Sequence, residues 1–200
     1  MKKSGFTLAE VLITLVIIGV IAAMTVPTLM NNTNSQEFRS ALKKAISALN
    51  QAVTMQYALE GTLISDYSSA SQVVTDVFNA RLNVINTGAS SNTTLWAGTG
   101  DAACSSGSVF ITADGLSYCI YNFSNENKST SGACDNAGNN PCSNNGSVNV
   151  LIDVNGLKKP NTLTTNSSQP KDIYQAYLYS QRVVPAGQAT QEVMYDANLQ

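Results

Sequence analysis

A long apolar stretch near the amino terminus, residues 5–30, constrains most strongly what this chain can become. Between Val11 and Val26 the only polar side chains are two threonine hydroxyls. As a helix, the 21 residues from Phe6 to Val26 would measure roughly 30 Å, about the thickness of the hydrocarbon core of a bilayer. The stretch therefore predicts a membrane-spanning helix.

One carboxylate, Glu10, interrupts this apolar surface near its start. A charge inside the membrane costs about 2.5–3.5 kcal/mol on insertion scales, so its presence indicates a function. A secretory signal peptide, with Lys2 and Lys3 as its basic start and cleavage near Ala22, is one alternative, and a plain anchor is another. Neither alternative explains a carboxylate within the apolar run, or the helical pattern that continues downstream.

The composition argues against several functional classes. The 200 residues include no histidine, and the formal net charge is −2. His-based acid–base catalysis and a His-ligated metal site are therefore impossible, and no basic patch beyond Lys2 and Lys3 suggests a nucleic-acid partner. The acidic residues from Asp101 onward are scattered singly beside turn signals, so we expect no enzyme. We predict no cofactor and no metal.

All four cysteines lie in the second half of the chain. An even number of cysteines beyond a membrane segment predicts two disulfides in an oxidising compartment. No pair has the two-residue spacing that zinc and redox motifs require. Three pairings are possible, and we favour Cys104 with Cys119 and Cys134 with Cys142.

The segment Gly5-Phe6-Thr7-Leu8-Ala9-Glu10, followed by the apolar run, resembles the amino-terminal signature of type IV prepilins and type II secretion pseudopilins. The resemblance covers residues 1–30. It implies that a membrane aspartyl protease, the prepilin peptidase, cuts between Gly5 and Phe6 on the cytoplasmic side and methylates the new amino terminus at Phe6. It also implies that Glu10 directs the assembly of subunits into a filament.

The chemistry at the cleaved end agrees with this resemblance. Cleavage would create an α-ammonium at Phe6, one helical turn before Glu10. In a stack of parallel helices, the ammonium of an incoming subunit would pair with Glu10 of its neighbour. Because a buried carboxylate without a partner is strongly disfavoured, this pairing would fix the axial register of the subunits.

Gly19 and Pro27 lie within the same predicted helix. A proline in a helix interior removes one hydrogen bond, and a glycine weakens a helix by ~1 kcal/mol relative to alanine. Transmembrane helices often tolerate both residues. The resemblance implies instead that the segment from Gly19 to Pro27 unwinds in the filament, and both interpretations remain open.

Helical periodicity resumes after a polar patch at residues 31–35, and Gly61 is a plausible stop. The apolar side chains from Phe38 onward form one stripe, which we expect to pack on a sheet. The members of the stripe are Phe38, Leu42, Ala45, Ile46, Leu49, Ala52, Val53 and Leu59.

Asp114-Gly115 stands between two strand-like runs and predicts a β-hairpin. A two-residue turn would pair Ala113 with Leu116, Ile111 with Tyr118 and Val109 with Ile120, all on one face. It would place Cys119 on the opposite face, across from Phe110. The other predicted elements are a short helix over 71–82, a loop over 86–100, a strand over 148–156, a final strand over 173–184 and a loosely held tail.

The run Asp153-Val154-Asn155-Gly156 can be compared with a calcium-binding loop. It lacks the further alternating ligands of that pattern, so a plain Asn-Gly turn is the favoured interpretation. The surrounding residues, Ile152 to Asn161, also resemble the closing segment of many pseudopilin-like domains.

These observations predict an α+β subunit of the pilin-like kind. A long amino-terminal helix, with a transmembrane half and an amphipathic half, would pack on a small antiparallel sheet of three to five strands. The expected divisions are a cleaved leader over residues 1–5, a transmembrane and assembly helix over 6–30, and a globular domain over 31–200.

The resemblance implies a structural filament subunit of a type IV pilus or a type II secretion pseudopilus. Its partners would be other pilin or pseudopilin subunits, prepilin peptidase, the inner-membrane assembly platform and the membrane itself. Before assembly it would span the bacterial inner membrane once, with its amino terminus in the cytoplasm, and afterwards it would lie in a periplasmic or extracellular filament. The alternative is a minor tip pilin that acts as an adhesin, in DNA uptake or in binding a secretion substrate.

Overall fold

One helix, α1, runs from Leu8 to Glu60 in the computed structural model, which describes residues 5, 7–123 and 148–195. The polar patch at residues 31–35 is part of this helix. Gly61 follows its end with a φ of +69° and donates its N–H to the carbonyl of Tyr57 at 3.0 Å. Glycine suits this left-handed position at a helix end, so the predicted stop is confirmed. The chain divides into two compact units, residues 1–37 and 38–200.

The remaining helices of the described residues are short. α2 (Ala70–Gln72), a π-helical turn (Val73–Phe78) and α3 (Asn79–Arg81) follow one another without a break, close to the helix predicted over 71–82. Two 3₁₀ turns occupy Ile64–Asp66 and Gly100–Ala102. α4 (Gln188–Tyr195) lies in the predicted tail, where we expected no helix.

Six antiparallel strands form one sheet in which each strand pairs with its neighbour in sequence. The fold is therefore α+β, as predicted, although the sheet has more strands than the three to five expected. The strands are β1 (Val84–Ala89), β2 (Ser108–Thr112), β3 (Ser117–Tyr121), β4 (Val148–Asp153), β5 (Ile173–Leu178) and β6 (Val183–Pro185).

The strands correct the predictions at two places in the sequence. β1 begins just before the segment predicted as a loop and occupies part of it. It is an edge strand with an irregularity at Ile85 and with asparagine and glycine, which are poor strand formers. The predicted strand over 173–184 is two strands, β5 and β6, because the chain turns back between Tyr179 and Arg182. That turn contains no glycine, proline or asparagine to mark it in the sequence.

The predicted hairpin exists, but its register was wrong by one residue. Phe110 pairs with Tyr118 and Val109 pairs with Cys119, because the turn has three residues rather than two. Thr112 donates its N–H to the carbonyl of Leu116 at 3.0 Å. A two-residue Asp-Gly turn of type I′ needs a positive φ at both residues, whereas here only Gly115, at +86°, has one.

The corrected register places the aromatic side chains on the face that packs against α1. The Phe110 ring stacks on Phe78 at 5.1 Å and on Tyr118 at 4.7 Å between centroids. All three side chains are buried in one core with the apolar stripe of α1. The predicted stripe is thus confirmed from Leu42 to Val53, with Phe38 partly buried at its start.

Leu59 does not join this core, since 64% of it is exposed. It belongs to the last turn of α1, and every residue from Tyr57 to Glu60 is exposed. By its helical spacing, Leu59 does lie in line with the stripe. The prediction failed because the buried part of the helix ends before its last turn, which periodicity cannot show.

A second, smaller core lies on the opposite face of the sheet. Val109, Cys119, Leu151 and Ile173 contribute to it from the strands. The segment between β1 and β2 covers them with Leu95, Trp96, Ala102 and Cys104. The Trp96 indole N–H donates to the Ala102 carbonyl at 2.9 Å, so this buried polar group is satisfied within the segment.

Replacing Phe110 with alanine tests the packing of the larger core. The substitution removes a fully buried ring that stacks on two others. We expect the free energy of unfolding to fall by about 3–5 kcal/mol, the usual range for a buried phenylalanine. Denaturant unfolding of the full chain in detergent measures this change. Ile85→Ala, at an exposed position of β1, should change it by no more than about 0.5 kcal/mol, and an equal loss in both variants would contradict the assignment.

Candidate functional site

The predicted cleavage and assembly residues lie at the start of α1. Gly5 is exposed and precedes the helix, which begins at Leu8. A Cβ atom added to Gly5 would meet no atom within 4 Å. Phe6 lies outside the described residues. The Gly5 side of the predicted cleavage bond is therefore open in the isolated subunit.

Thr7 and Glu10 form a capping box at the amino terminus of α1. The backbone N–H of Thr7 donates to Glu10 Oε2 at 2.8 Å, and the Thr7 hydroxyl donates to the same oxygen at 2.9 Å. In return the backbone N–H of Glu10 donates to Thr7 Oγ1 at 3.3 Å. These bonds satisfy N–H groups that have no partner inside the helix, and the positive end of the helix dipole favours a carboxylate there.

Sequence reasoning missed the role of Thr7 in this site. The pattern Thr-x-x-Glu directly before an apolar run was present at residues 7–10 and is a known sign of a helix start. The prediction treated Glu10 as a carboxylate awaiting a partner from another subunit. In the single chain it already accepts two hydrogen bonds, both at Oε2.

The apolar part of α1, Leu8–Val26, is long enough and apolar enough to cross a membrane, the one such helix among the described residues. None of it is buried inside the chain. Thr14 donates its hydroxyl to the Val11 carbonyl at 2.9 Å, and Thr25 does so to the Ile21 carbonyl at 3.0 Å. Both polar side chains are therefore satisfied within the helix, as a lipid environment requires.

Gly19 and Pro27 both fall within α1, which the structure shows as continuous. A Cβ atom added to Gly19 would meet no atom within 4 Å, so no contact inside the chain requires a glycine there. The predicted unwinding between these residues concerns the assembled filament. It remains a prediction for the single chain.

The structure joins Cys104 to Cys119 by a disulfide with a Cα–Cα distance of 6.1 Å. The segment before β2 folds back over the second core to bring Cys104 to the strand, as this pairing required. Gly107 allows the close approach, because a Cβ there would lie 2.5 Å from the Ile120 carbonyl oxygen and 2.7 Å from Cys104 Sγ. Cys134 and Cys142 lie outside the described residues.

Asp153 and its neighbours form the turn that the sequence favoured over a calcium loop. The Asn155 N–H donates to Asp153 Oδ1 at 3.2 Å, and Gly156 has a φ of +67°. In the described part of the chain, no group of three or more histidine, cysteine or acidic side chains is placed to hold a metal.

Burial raises the pKa of Asp153 to about 8, and the negative charge of the nearby Asp172 contributes to the same shift. Asp153 is fully buried on the face of the second core, where the charged form is disfavoured. Asp172 is also fully buried, and it accepts the backbone N–H groups of Asn161 at 2.6 Å and Thr162 at 2.9 Å.

Comparison with known proteins identifies a motif at the amino terminus. Residues 1–26 match the family model for the prokaryotic N-terminal methylation motif. The amino terminus of this chain therefore carries that motif. The match confirms the resemblance found over residues 1–30.

Two similar proteins are both called type II secretion system core protein G. The protein of Aeromonas hydrophila is 39% identical over 54 residues, and that of Escherichia coli strain K12 is 41% identical over 54 residues. In each case the similarity covers 27% of this chain and 37% of the relative, so the chain spans little more than a third of their length. No solved structure matches this chain.

The raised pKa of Asp153 predicts a pH dependence of stability. The folded state binds the proton of the Asp153 carboxyl more tightly than the unfolded state does. The contribution of Asp153 to the free energy of unfolding is therefore fully present below its unfolded pKa of about 3.9. It is lost as the pH rises toward about 8. Asp153→Asn, which keeps the Oδ1 acceptor without a titrating proton, should flatten the decline of the melting temperature between pH 5 and 8.

Thermal unfolding of the full chain at several pH values measures this effect. Asp76→Asn, at an exposed position, is the matched control and should leave the pH profile of the parent chain unchanged. If Asp153→Asn and the parent lost stability equally between pH 5 and 8, the assignment of a neutral Asp153 would be wrong.

Proposed function

We propose that this chain is a structural filament subunit of a type II secretion pseudopilus or a type IV pilus, processed by prepilin peptidase. The observation that carries the proposal is the methylation motif over residues 1–26, continuous with the apolar part of α1. The named relatives favour the pseudopilus, since both are type II secretion proteins. The α+β globular unit behind the helix is consistent with either filament.

The first step is proteolysis by the peptidase at the amino terminus. Hydrolysis of the bond between Gly5 and Phe6 releases residues 1–5, including both leader lysines, and leaves an α-amino group on Phe6. The peptidase then transfers a methyl group from a separate methyl donor to this nitrogen, which releases a proton as the new N–C bond forms. The absence of a side chain on Gly5 supports this assignment, because the chain offers nothing there to obstruct a protease.

Assembly uses the carboxylate of Glu10 as the partner of the new ammonium on an incoming subunit. Among the described residues, Glu10 Oε2 accepts both hydrogen bonds from Thr7. The other oxygen, Oε1, can therefore bind an external cation. Two apolar helices in lipid can slide along each other, because lipid tails and apolar side chains are equally hydrophobic and the hydrophobic effect does not fix their register. A charge pair within the bundle fixes it, since a misplaced subunit leaves a carboxylate without a partner.

The apolar part of α1 holds the subunit in the inner membrane before assembly. We place the amino terminus in the cytoplasm and the globular unit, residues 38–200, on the periplasmic side. The disulfide between Cys104 and Cys119 supports this orientation, because such bonds persist in the bacterial periplasm. The inner-membrane assembly platform would then extract the subunit, and the segment from Gly19 to Pro27 would unwind within the filament.

This role is structural rather than catalytic. The chain has no histidine, and its buried carboxylates serve the fold, since Asp172 holds a backbone connection and Asp153 holds a turn. The chemistry of maturation is carried out on this protein by its peptidase.

The mature protein should begin at Phe6 and carry one additional methyl group on its α-nitrogen. Mass spectrometry of the amino-terminal peptide from native membranes measures both features. Gly5→Leu should leave the leader attached, because a large side chain would obstruct the bond, whereas Ser4→Ala should be processed normally. A mature protein that retains Met1 or begins at Met24 would overturn the proposal.

Glu10→Gln should abolish or strongly reduce filament assembly while leaving membrane insertion intact. The substitution keeps the size of the side chain and removes its charge. Close interfacial charge pairs couple by about 1.5–7 kcal/mol, so we expect at least about a tenfold loss of sheared filaments. Membrane fractionation and quantification of filaments provide the two measurements.

The matched control is Thr14→Ala, which removes a polar group from the same helix. Its hydroxyl bonds to its own helix and offers no charge to a neighbour. Filaments should form normally from this variant. Normal filaments from Glu10→Gln would show that the charge does not direct assembly.

A further inference from the structure

The connection between β4 and β5, residues 154–172, carries a localised positive charge. It contains three lysines, Lys158, Lys159 and Lys171, and a single acidic residue, Asp172. All three lysines are exposed, whereas Asp172 is fully buried. The exposed charged side chains of the connection itself are therefore all positive. Together with Leu157, of which 44% is exposed, these lysines are called the lysine surface below.

The backbone that presents the lysine surface is held in place at several points. Asp172 accepts the N–H groups of Asn161 and Thr162. Thr164 accepts the N–H of Lys171 at its hydroxyl oxygen at 2.9 Å and donates its hydroxyl to the Lys171 carbonyl at 3.0 Å. The connection thus has fixed geometry, and Lys171 projects from an ordered backbone.

Part of this connection contacts the first residues of the globular unit. The Arg39 guanidinium donates to the Ser167 carbonyl at 3.1 Å, and Arg39 is the second residue of that unit. A Cβ placed on Gly156 would lie 2.6 Å from the Gly115 carbonyl oxygen, so the turns before β3 and after β4 are adjacent. Asp114, in the first of these turns, pairs with Lys44 of α1 at 2.6 Å.

The lysine surface has no internal acidic partner in the described part of the chain. The ion pairs of Lys44 with Asp114 and of Arg81 with Glu60 use other cations. The three ammonium groups are therefore available to an external anion. The exposed Leu157, next to Lys158 in sequence, adds an apolar side chain of the kind that enters a headgroup layer.

We propose that the lysine surface binds anionic phospholipid headgroups of the membrane that anchors the chain. An anionic bilayer matches an exposed set of lysines in charge. The apolar span, whose last residue is Val26, keeps the protein at that bilayer, which gives headgroups a high effective concentration. The proposal rests on the membrane anchoring in the proposed function, and the contact would hold the globular unit at the membrane before assembly.

Lysine footprinting of the full chain in lipid nanodiscs tests this contact. One set of discs contains phosphatidylcholine alone, and the other contains phosphatidylcholine mixed with phosphatidylglycerol. Acetylation rates of Lys158, Lys159 and Lys171, read by mass spectrometry, should fall several-fold in the anionic discs at low salt. High salt should restore the rates, because it screens exposed charges.

A pair of single-charge variants separates a specific surface from general electrostatic attraction. Lys159→Gln should reduce the protection of Lys158 and Lys171 by up to about fivefold, the equivalent of about 1 kcal/mol for one lysine near an anionic surface. Arg182→Gln, located beyond the opposite end of β5, removes the same charge and should leave their protection unchanged. Equal effects of the two variants would overturn the proposal.

Equal acetylation rates in both kinds of disc would also overturn it. Protection that is absent in discs but present in filaments would instead identify a second copy of this chain as the occupant. The discs contain no filament, so a negative result leaves the assembly role of Glu10 standing. Conversely, lipid-dependent protection in discs, combined with a complete lack of filaments in cells that express the intact chain, would support the lysine surface and contradict the filament proposal alone.

Discussion

The burial of one apolar stripe of α1 against the sheet is the contact on which the globular unit depends. The stripe supplies one layer of the larger core, and the sheet supplies the other with the stacked rings of Phe78, Phe110 and Tyr118. A sheet of this kind cannot leave an aromatic face in water, and an amphipathic helix cannot leave its stripe there either. Each element therefore requires the other. The second core and its disulfide complete the opposite face of the sheet.

The chain holds three of its carboxyl groups in three different ways. Glu10, in the apolar run, is bound by the hydroxyl and N–H of Thr7. Asp172 is buried but accepts two backbone N–H groups. Asp153, buried beside it, retains its proton near neutral pH, because burial raises its pKa. Local hydrogen bonds hold the exposed Glu10, whereas backbone donors and protonation stabilise the two buried groups, Asp172 and Asp153.

Much of the fold could be predicted because the patterns involved are local. The helical stripe, the end of α1 at Gly61 and the position of the β2–β3 hairpin all follow from periods and turn residues within short windows. The register of that hairpin could not be predicted in this way, since Asp-Gly fits turns of two or three residues. The choice was made by packing, which brings Phe110 between two other rings. β1 and α4 were missed because their sequences show little preference for a strand or a helix, and contacts with neighbouring elements stabilise them.

The candidate site shows the same division between local pattern and tertiary structure. The sequence by itself determined the apolar helix, the carboxylate at Glu10, the glycine before the predicted cleavage point and the even set of cysteines, because each is a property of residue type and spacing. Only the tertiary structure decided that Cys104 reaches Cys119 across the second core, and that Asp153 and Asp172 are buried together. It also decided that three lysines share one ordered connection near Arg39. These outcomes depend on which distant segments meet, and this is fixed by packing and burial rather than by any short run of residues.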